Sequence, residues 1–274
     1  MQVTLLGTGD TTGTPTPGCD CGTCTKARTE SIHRSRFSVH IQPANSDEAL
    51  LIDASPDFRY QFLTQDVSLP TAIVITHIHF DHLDGLGNAY RLLDDIPVYA
   101  ADKVDPVTNE SVAETIDHKY DYLDTITVVP KTPTEPFEVC DLEVTLYPVT
   151  HPPLLCYGVV VKDPETDGRL AITGDTNYAI PQESLDAFAN ADVLFVDGIV
   201  PASYADYHPF GGEHFTADGG PRTFGRKHMT IEGARTLANE LSPDRYRIVH
   251  LSHYIPMEDA FDHDMAIDGE QFSL

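Results

Sequence analysis

The sequence predicts an α/β domain, and three observations carry that expectation. Short runs rich in Val, Ile and Leu recur along the chain, bounded by Gly, Pro, Asp or Thr. After the first few, they alternate with segments of helical periodicity. His or Asp stands directly after several of these runs, at Asp53, His77, His151, Asp175 and His250. Strand carboxyl ends are where open α/β sheets place their sites.

The elements follow in order. A first strand is expected over residues 3–6, then a long segment, about 6–33, that holds three cysteines. Strands at 37–41 and 50–52 precede a helix at 56–63. The apolar run 72–76 is the next strand, followed by a helix at 83–93 and a strand at 97–100. A helix at 109–116 leads to strands at 142–147, 157–161 and 170–173. A helix at 181–190 and a strand at 193–196 come before a second long segment, about 198–228, rich in Gly, Pro, His and Tyr. Loops this long in a compact domain are functional or disordered. The last helix, 230–241, sets Ile231, Ala234, Leu237, Ala238 and Leu241 at helical spacing, with Thr230 as its N-cap. A strand at 247–250 follows, and residues 1–274 read as one domain.

Composition bounds the function. Of 274 residues, 41% are hydrophobic and 9% aromatic, as in an ordinary folded domain. Asp and Glu total 43 against 17 Lys and Arg, of which only six are lysines, for a net charge of −26. Self-repulsion of that size is tolerable where salt screens it, since the Debye length falls to about 3 Å at 1 M. The expectation is a halophile protein of the cytoplasm. A basic footprint for nucleic acid is missing. No apolar run approaches the roughly 20 residues that cross a bilayer, and the first residues lack a signal's basic region. Five cysteines, three of them within six positions, argue against a disulfide framework and for a metal-binding or reactive cluster.

The strongest chemical signal is Thr76-His77-Ile78-His79-Phe80-Asp81-His82. Three imidazoles and a carboxylate in six positions are a dense set of ligands for zinc, manganese or iron. A turn there could aim His77 and His79 at one metal and Asp81 and His82 at a second. The other signal is Cys19-Asp20-Cys21-Gly22-Thr23-Cys24, whose thiolates suit three corners of a tetrahedral zinc. His253, three residues after His250, is the candidate fourth ligand. Cys140 and Cys156 read as small buried hydrophobes.

H-x-H-x-D-H followed by a later His, Asp and His resembles the metallo-β-lactamase superfamily, over nearly the whole chain. The resemblance implies a four-layer αββα sandwich with the site at one sheet edge. It implies two divalent cations, zinc or manganese: His77, His79 and His151 hold one, Asp81, His82 and His250 the other, and Asp175 bridges them. Asp53 would orient ligands from behind. The three cysteines, the His250-x-x-His253 pair, Lys227-His228-Met229 and the ending Ile267-Asp268-Gly269 narrow it to the phosphoribosyl cyclic phosphate phosphodiesterase subgroup. That subgroup implies a structural zinc on Cys19, Cys21, Cys24 and His253, and an active-site role for His228. The implied reaction is attack of a metal-bridging hydroxide on a small cyclic phosphodiester, with Asp81 and His228 as the catalytic pair and a small molecule as partner. A homodimer is compatible with it. Other superfamily chemistries stay open: a transfer-RNA 3′-processing nuclease, or a hydrolase of lactones or thioesters.

Overall fold

A computed structural model describes residues 1–274. Two mixed sheets pack face to face, and helices cover their outer sides. The first sheet holds β1 (Gln2–Gly7), β2 (Ser38–Gln42), β3 (Leu50–Ile52), β4 (Ala72–Ile75), β5 (Ile96–Ala101) and β6 (Ile126–Lys131) in that order. The second runs from β7 (Phe137–Val139) through β8 (Leu142–His151), β9 (Leu154–Lys162), β10 (Arg169–Ile172) and β11 (Val193–Asp197) to β15 (Arg245–Val249). β12 (Gly212–Phe215), β13 (Pro221–Phe224) and β14 (His228–Met229) form a small third sheet. β16 (Gln271–Ser273) closes the first sheet, antiparallel to β1.

The inner faces of both sheets are aliphatic, which is why they pack together. Leu5, Ile41, Ile52 and Val74 from the first meet Leu146, Val159, Leu170, Ile172 and Phe195 from the second in one continuous core. A second core lies behind the second sheet. There Ala171, Leu194 and Val196 meet Phe188 of α6 (Gln182–Phe188) and Ile231, Ala234, Leu237 and Leu241 of α7 (Ile231–Leu241). On the far side, α2 (Phe58–Gln65), α3 (Phe80–Leu83), α4 (Ala89–Leu92) and α5 (Val112–Lys119) contribute Phe58, Leu83, Ala89 and Ile116. This is the four-layer αββα sandwich that the resemblance implies.

The caps explain where helices begin. Thr230 accepts from the Gly233 amide at 3.0 Å, and Ser111 and Glu114 form a reciprocal capping box at the start of α5. The expected helix over 83–93 is broken by a 3-10 turn, Asp84–Asn88, because Gly85 and Gly87 interrupt it. The cysteine segment contains an unexpected helix, α1 (Gly22–Glu30). It has no apolar stripe; its signal is a cap, the Cys21 thiol accepting from the Cys24 amide. The segment 198–228 is folded too, as a 3-10 turn (Ala202–Tyr207) and the third sheet. No helix is long and apolar enough to cross a membrane.

Strand direction positions the site. β3, β4, β5 and β6 run parallel, as do β10, β11 and β15. Their carboxyl ends meet along one edge of the sandwich, where the residues that leave these strands face each other across the two sheets.

Candidate metal centre

Asp53 follows β3, and His77 follows β4 after Thr76. His79 caps α3, which carries Asp81 and His82. His151 ends the long β8, Asp175 lies just beyond β10, and His250 just beyond β15. Asp53 and His250 adopt left-handed backbone, φ 60° and 63°, so the chain turns sharply as each strand ends. All eight are gathered at the sandwich edge.

They form two donor sets. In the first, His77 Nε2 lies 3.0 Å from His79 Nδ1, and His151 Nε2 lies 3.2 Å from the same atom. Asp175 Oδ2 stands 3.7 Å from His77 Nε2. In the second, Asp81 Oδ2 is 3.8 Å from His82 Nε2 and 3.6 Å from His250 Nε2. The same Asp175 Oδ2 lies 3.3 Å from His82 Nε2 and 3.4 Å from His250 Nε2, so one carboxylate oxygen belongs to both sets. His82 Nε2 and both His250 nitrogens are buried and have no hydrogen-bond partner. Buried polar atoms without partners are costly, and imidazole and carboxylate donors converging this way fit divalent cations.

Supporting groups fix the free nitrogens. Asp53 is fully buried and accepts three bonds: from His82 Nδ1 at 2.7 Å, the Thr76 hydroxyl at 2.8 Å and the Thr76 amide at 2.8 Å. His82 therefore presents Nε2 to the site. His151 Nδ1 donates to the Lys227 carbonyl at 3.0 Å, which leaves its Nε2 free.

The electrostatics divide along the same line. Burial, reinforced by neighbouring imidazoles, keeps His77 well below the ordinary histidine range and His151 at about 2. Burial likewise brings His79 to about 4. These rings are neutral and hold lone pairs ready. Burial opposes the charged forms of His82 and His250, but the carboxylates around them prevail. Asp175, Asp53 and Asp81 hold His82 well above its usual range, and Asp175, Asp81 and Asp197 bring His250 to about 9. Four carboxylates, Asp53, Asp81, Asp175 and Asp197, thus favour positive charge at the second set.

The cysteines and His253 come together beside this edge. His253 Nδ1 is 3.3 Å from Cys19 Sγ and 3.7 Å from Cys21 Sγ, and the four side chains make one candidate metal group. Burial raises Cys24 to about 11, and it accepts from the Thr16 amide at 3.3 Å. Burial also opposes ionisation of Cys21, but the Cys24 amide and His253 outweigh it and bring the thiol to about 6. Cys140 and Cys156 are buried apart from it, as expected.

His228 stacks on His250 with ring centroids 4.8 Å apart, and its Nδ1 faces Asp197 Oδ1 at 3.3 Å. Asp197 was not singled out in the sequence. It ends β11, so it follows the same pattern of Asp after an apolar run, and it also accepts from the Met229 amide at 3.0 Å. Thr11 was missed as well: its hydroxyl donates to Asp81 Oδ2 at 2.7 Å. Nothing in the local sequence around Thr11 marks it. Of the other histidines, His40 sits in the first sheet against the Ser68 carbonyl at 3.1 Å, and His118 pairs with Glu110 on the surface.

Comparison with known proteins agrees with this fold. A family described as the beta-lactamase superfamily domain matches residues 48–251. An octanoyltransferase of Porphyromonas gingivalis is 29% identical over 270 residues, which is 94% of this chain but 47% of that protein. The chain therefore spans about half the length of that relative. The crystal structure of a diphosphatase from the PhnP family superposes with a TM-score of 0.78 at 26% identity, covering 100% of this chain and 97% of the other. Zinc-bound PqqB from Methylobacterium extorquens superposes with a TM-score of 0.78 at 22% identity, covering all of both chains, a likeness of fold.

Proposed function

The chain belongs to the beta-lactamase superfamily, and from this premise we propose that residues 1–274 form one metal-dependent hydrolase domain, a phosphodiesterase. Its substrate is a small cyclic phosphate, such as phosphoribosyl 1,2-cyclic phosphate. The observation that carries the proposal is the pair of donor sets sharing the Asp175 carboxylate. His77, His79, His151 and Asp175 would hold one cation, and Asp81, His82, His250 and Asp175 the other. Bound there, two cations lower the pKa of water toward neutrality and offset charge on phosphoryl oxygens. Cys19, Cys21, Cys24 and His253 would hold a structural zinc that ties the N-terminal segment to the chain after β15.

The chain's own groups do the rest. Asp53 holds the His82 proton on Nδ1, and the Lys227 carbonyl does the same for His151. Thr11 donates to Asp81 and keeps that carboxylate turned inward. Asp197 accepts from His228 Nδ1, so the doubly protonated ring is the form whose Nε2 donates to the phosphoryl group or to the departing sugar oxygen. A proton delivered there contributes about 10²–10⁴-fold. In ring opening, water adds to phosphorus, one ring P–O bond breaks, and the freed oxygen takes the proton. The likeness to a PhnP-family diphosphatase supports phosphorus as the centre attacked. The net charge of −26 supports a small molecule over nucleic acid as partner.

The test is phosphorus NMR of ribose 1,2-cyclic phosphate with the protein and Mn²⁺, beside Asp81→Ala. Ring opening by the wild type alone is expected. If the fully metallated protein opens no cyclic phosphate, the substrate assignment falls.

A further inference from the structure

The loop after β1 brings Thr11 to the second donor set, where its hydroxyl donates to Asp81 Oδ2. Carboxylates pin this loop on both sides of Thr11. Asp268 accepts from the Thr8 amide and hydroxyl at 2.9 Å each, and from the Ser35 amide and hydroxyl at 2.7 Å each. Asp10 accepts from the Thr12 amide and hydroxyl at 3.0 and 2.9 Å, and from the Gly13 amide at 3.1 Å. Thr11 lies between these anchors and is exposed. Its amide bonds to no other group of the chain, and its carbonyl accepts one bond, from Arg36 Nε at 3.1 Å. That bond is what fixes the Thr11 backbone, and with it the direction of the hydroxyl.

Arg36 is held in turn by Asp57. Its Nη1 donates to Asp57 Oδ1 at 2.8 Å, and its amide donates to Oδ2 at 3.0 Å. Asp57 belongs to the turn after β3. That turn starts with Asp53, which accepts from His82 Nδ1, and its Ala54 amide donates to the His82 carbonyl at 2.8 Å. Arg36 therefore bridges the supports of two neighbouring ligands: Thr11, beside Asp81, and the 53–57 turn, behind His82. Both ligands belong to the second set. The first set is supported elsewhere, by the Lys227 carbonyl on His151. The Arg36 and Asp57 side chains are 30% and 23% exposed, and ion pairs this open contribute little to folding. Placing Thr11 is the role left to the pair.

We propose that Arg36 is a positioning residue for the second cation: it fixes the Thr11 carbonyl, and through it the hydroxyl that holds Asp81. The inference rests on the two-cation reading and assigns a support that serves one cation and not the other.

Mn²⁺ binding tests this without turnover. Mn²⁺ suits sets that bear carboxylates, whereas thiolates select zinc, so the cysteine group does not compete. Equilibrium dialysis gives two Mn²⁺ affinities for the wild type. Arg36→Met weakens one of them about tenfold, the lower end for losing a group behind a ligand, and leaves the other within about threefold. Asp57→Asn leaves Arg36 without its charged partner, gives the same selective loss, and serves where Arg36→Met does not fold. Thr11→Val also weakens that one affinity, and Thr11→Ser keeps both. Because the arginine acts through the threonine, adding Arg36→Met to Thr11→Val costs less than about threefold more. A merely structural role would lower both affinities and the melting temperature of the metal-free protein. Unchanged affinities, a loss at both sites, or losses that multiply in the double variant overturn the proposal. A wild type that takes a single Mn²⁺ refutes the two-cation reading and this proposal with it. A wild type that takes two, both kept by the variants, refutes this proposal alone.

Discussion

Asp53→Asn is expected to weaken cation binding at the edge of the sandwich about 10–100-fold, the usual cost of losing the group behind a ligating histidine. The structure says why a single atom matters. The two Asp53 oxygens accept from three donors: His82 Nδ1, the Thr76 hydroxyl and the Thr76 amide. Asparagine has one such oxygen. If its NH2 turns toward the Thr76 amide, two N–H groups collide in a fully buried place. If it turns toward His82, the imidazole must move its proton to Nε2 and lose the lone pair offered to a cation. Either arrangement gives up a hydrogen bond to a charged group, about 1.5–3 kcal/mol. That is the same order as 10–100-fold in affinity, about 1.4–2.7 kcal/mol. Asparagine tolerates the left-handed φ of 60° that Asp53 adopts, so the backbone is not the cause of any loss. The assay is competition for Zn²⁺ or Mn²⁺ against a calibrated chelator, with thermal unfolding of the metal-free protein alongside. A variant that holds two cations within about threefold of the wild type, roughly half the smallest loss in kcal/mol, refutes the reasoning.

Three further outcomes are expected. Cys24→Ser lowers bound zinc by about one per chain by elemental analysis and lowers the melting temperature, because a structural zinc contributes folding energy; unchanged zinc would remove the cysteine group as a site. His40 is pushed down by burial to about 4, so it folds neutral while the unfolded ring titrates near 6.5. The unfolded state then binds more protons between those values, and stability falls as pH drops through that window by about 1.4 kcal/mol per unit at most. Urea unfolding at several pH values should give His40→Gln a shallower slope than the wild type, and equal slopes would contradict this. Gly85→Ala puts a Cβ 2.1 Å from the Ser55 carbonyl oxygen and 2.5 Å from that of Ala54. The backbone must move, and a loss of about 1–3 kcal/mol in denaturant unfolding is expected; a neutral change would mean this turn yields freely.

Much of the site was legible because ligand-bearing turns are local. His77, His79, Asp81 and His82 fall within one strand and one turn, and Cys19, Cys21 and Cys24 within six positions. Several of the elements that escaped the sequence reading lack a local period. The α1 helix has no apolar face, and β13 begins with a proline and an arginine. β16 is three residues long and exists through pairing with β1 at the other end of the chain. The segment 198–228 read as a loop because its strands are short and partly exposed; their hydrogen bonds to each other and to the start of α7 hold them.

By itself, the sequence singled out most of the His, Asp and Cys side chains that the fold gathers, placed the His and Asp among them near strand ends, and showed that the chain alternates strands with helices. Residue type and spacing suffice for that, since both act over a few positions. The tertiary structure alone decided that one oxygen of Asp175 serves two donor sets, that Asp197 stands behind His228 and that Lys227 orients His151 through its carbonyl. Those relations join residues tens of positions apart. They exist because burying the aliphatic faces of two sheets against each other brings the carboxyl ends of separate strands to one edge.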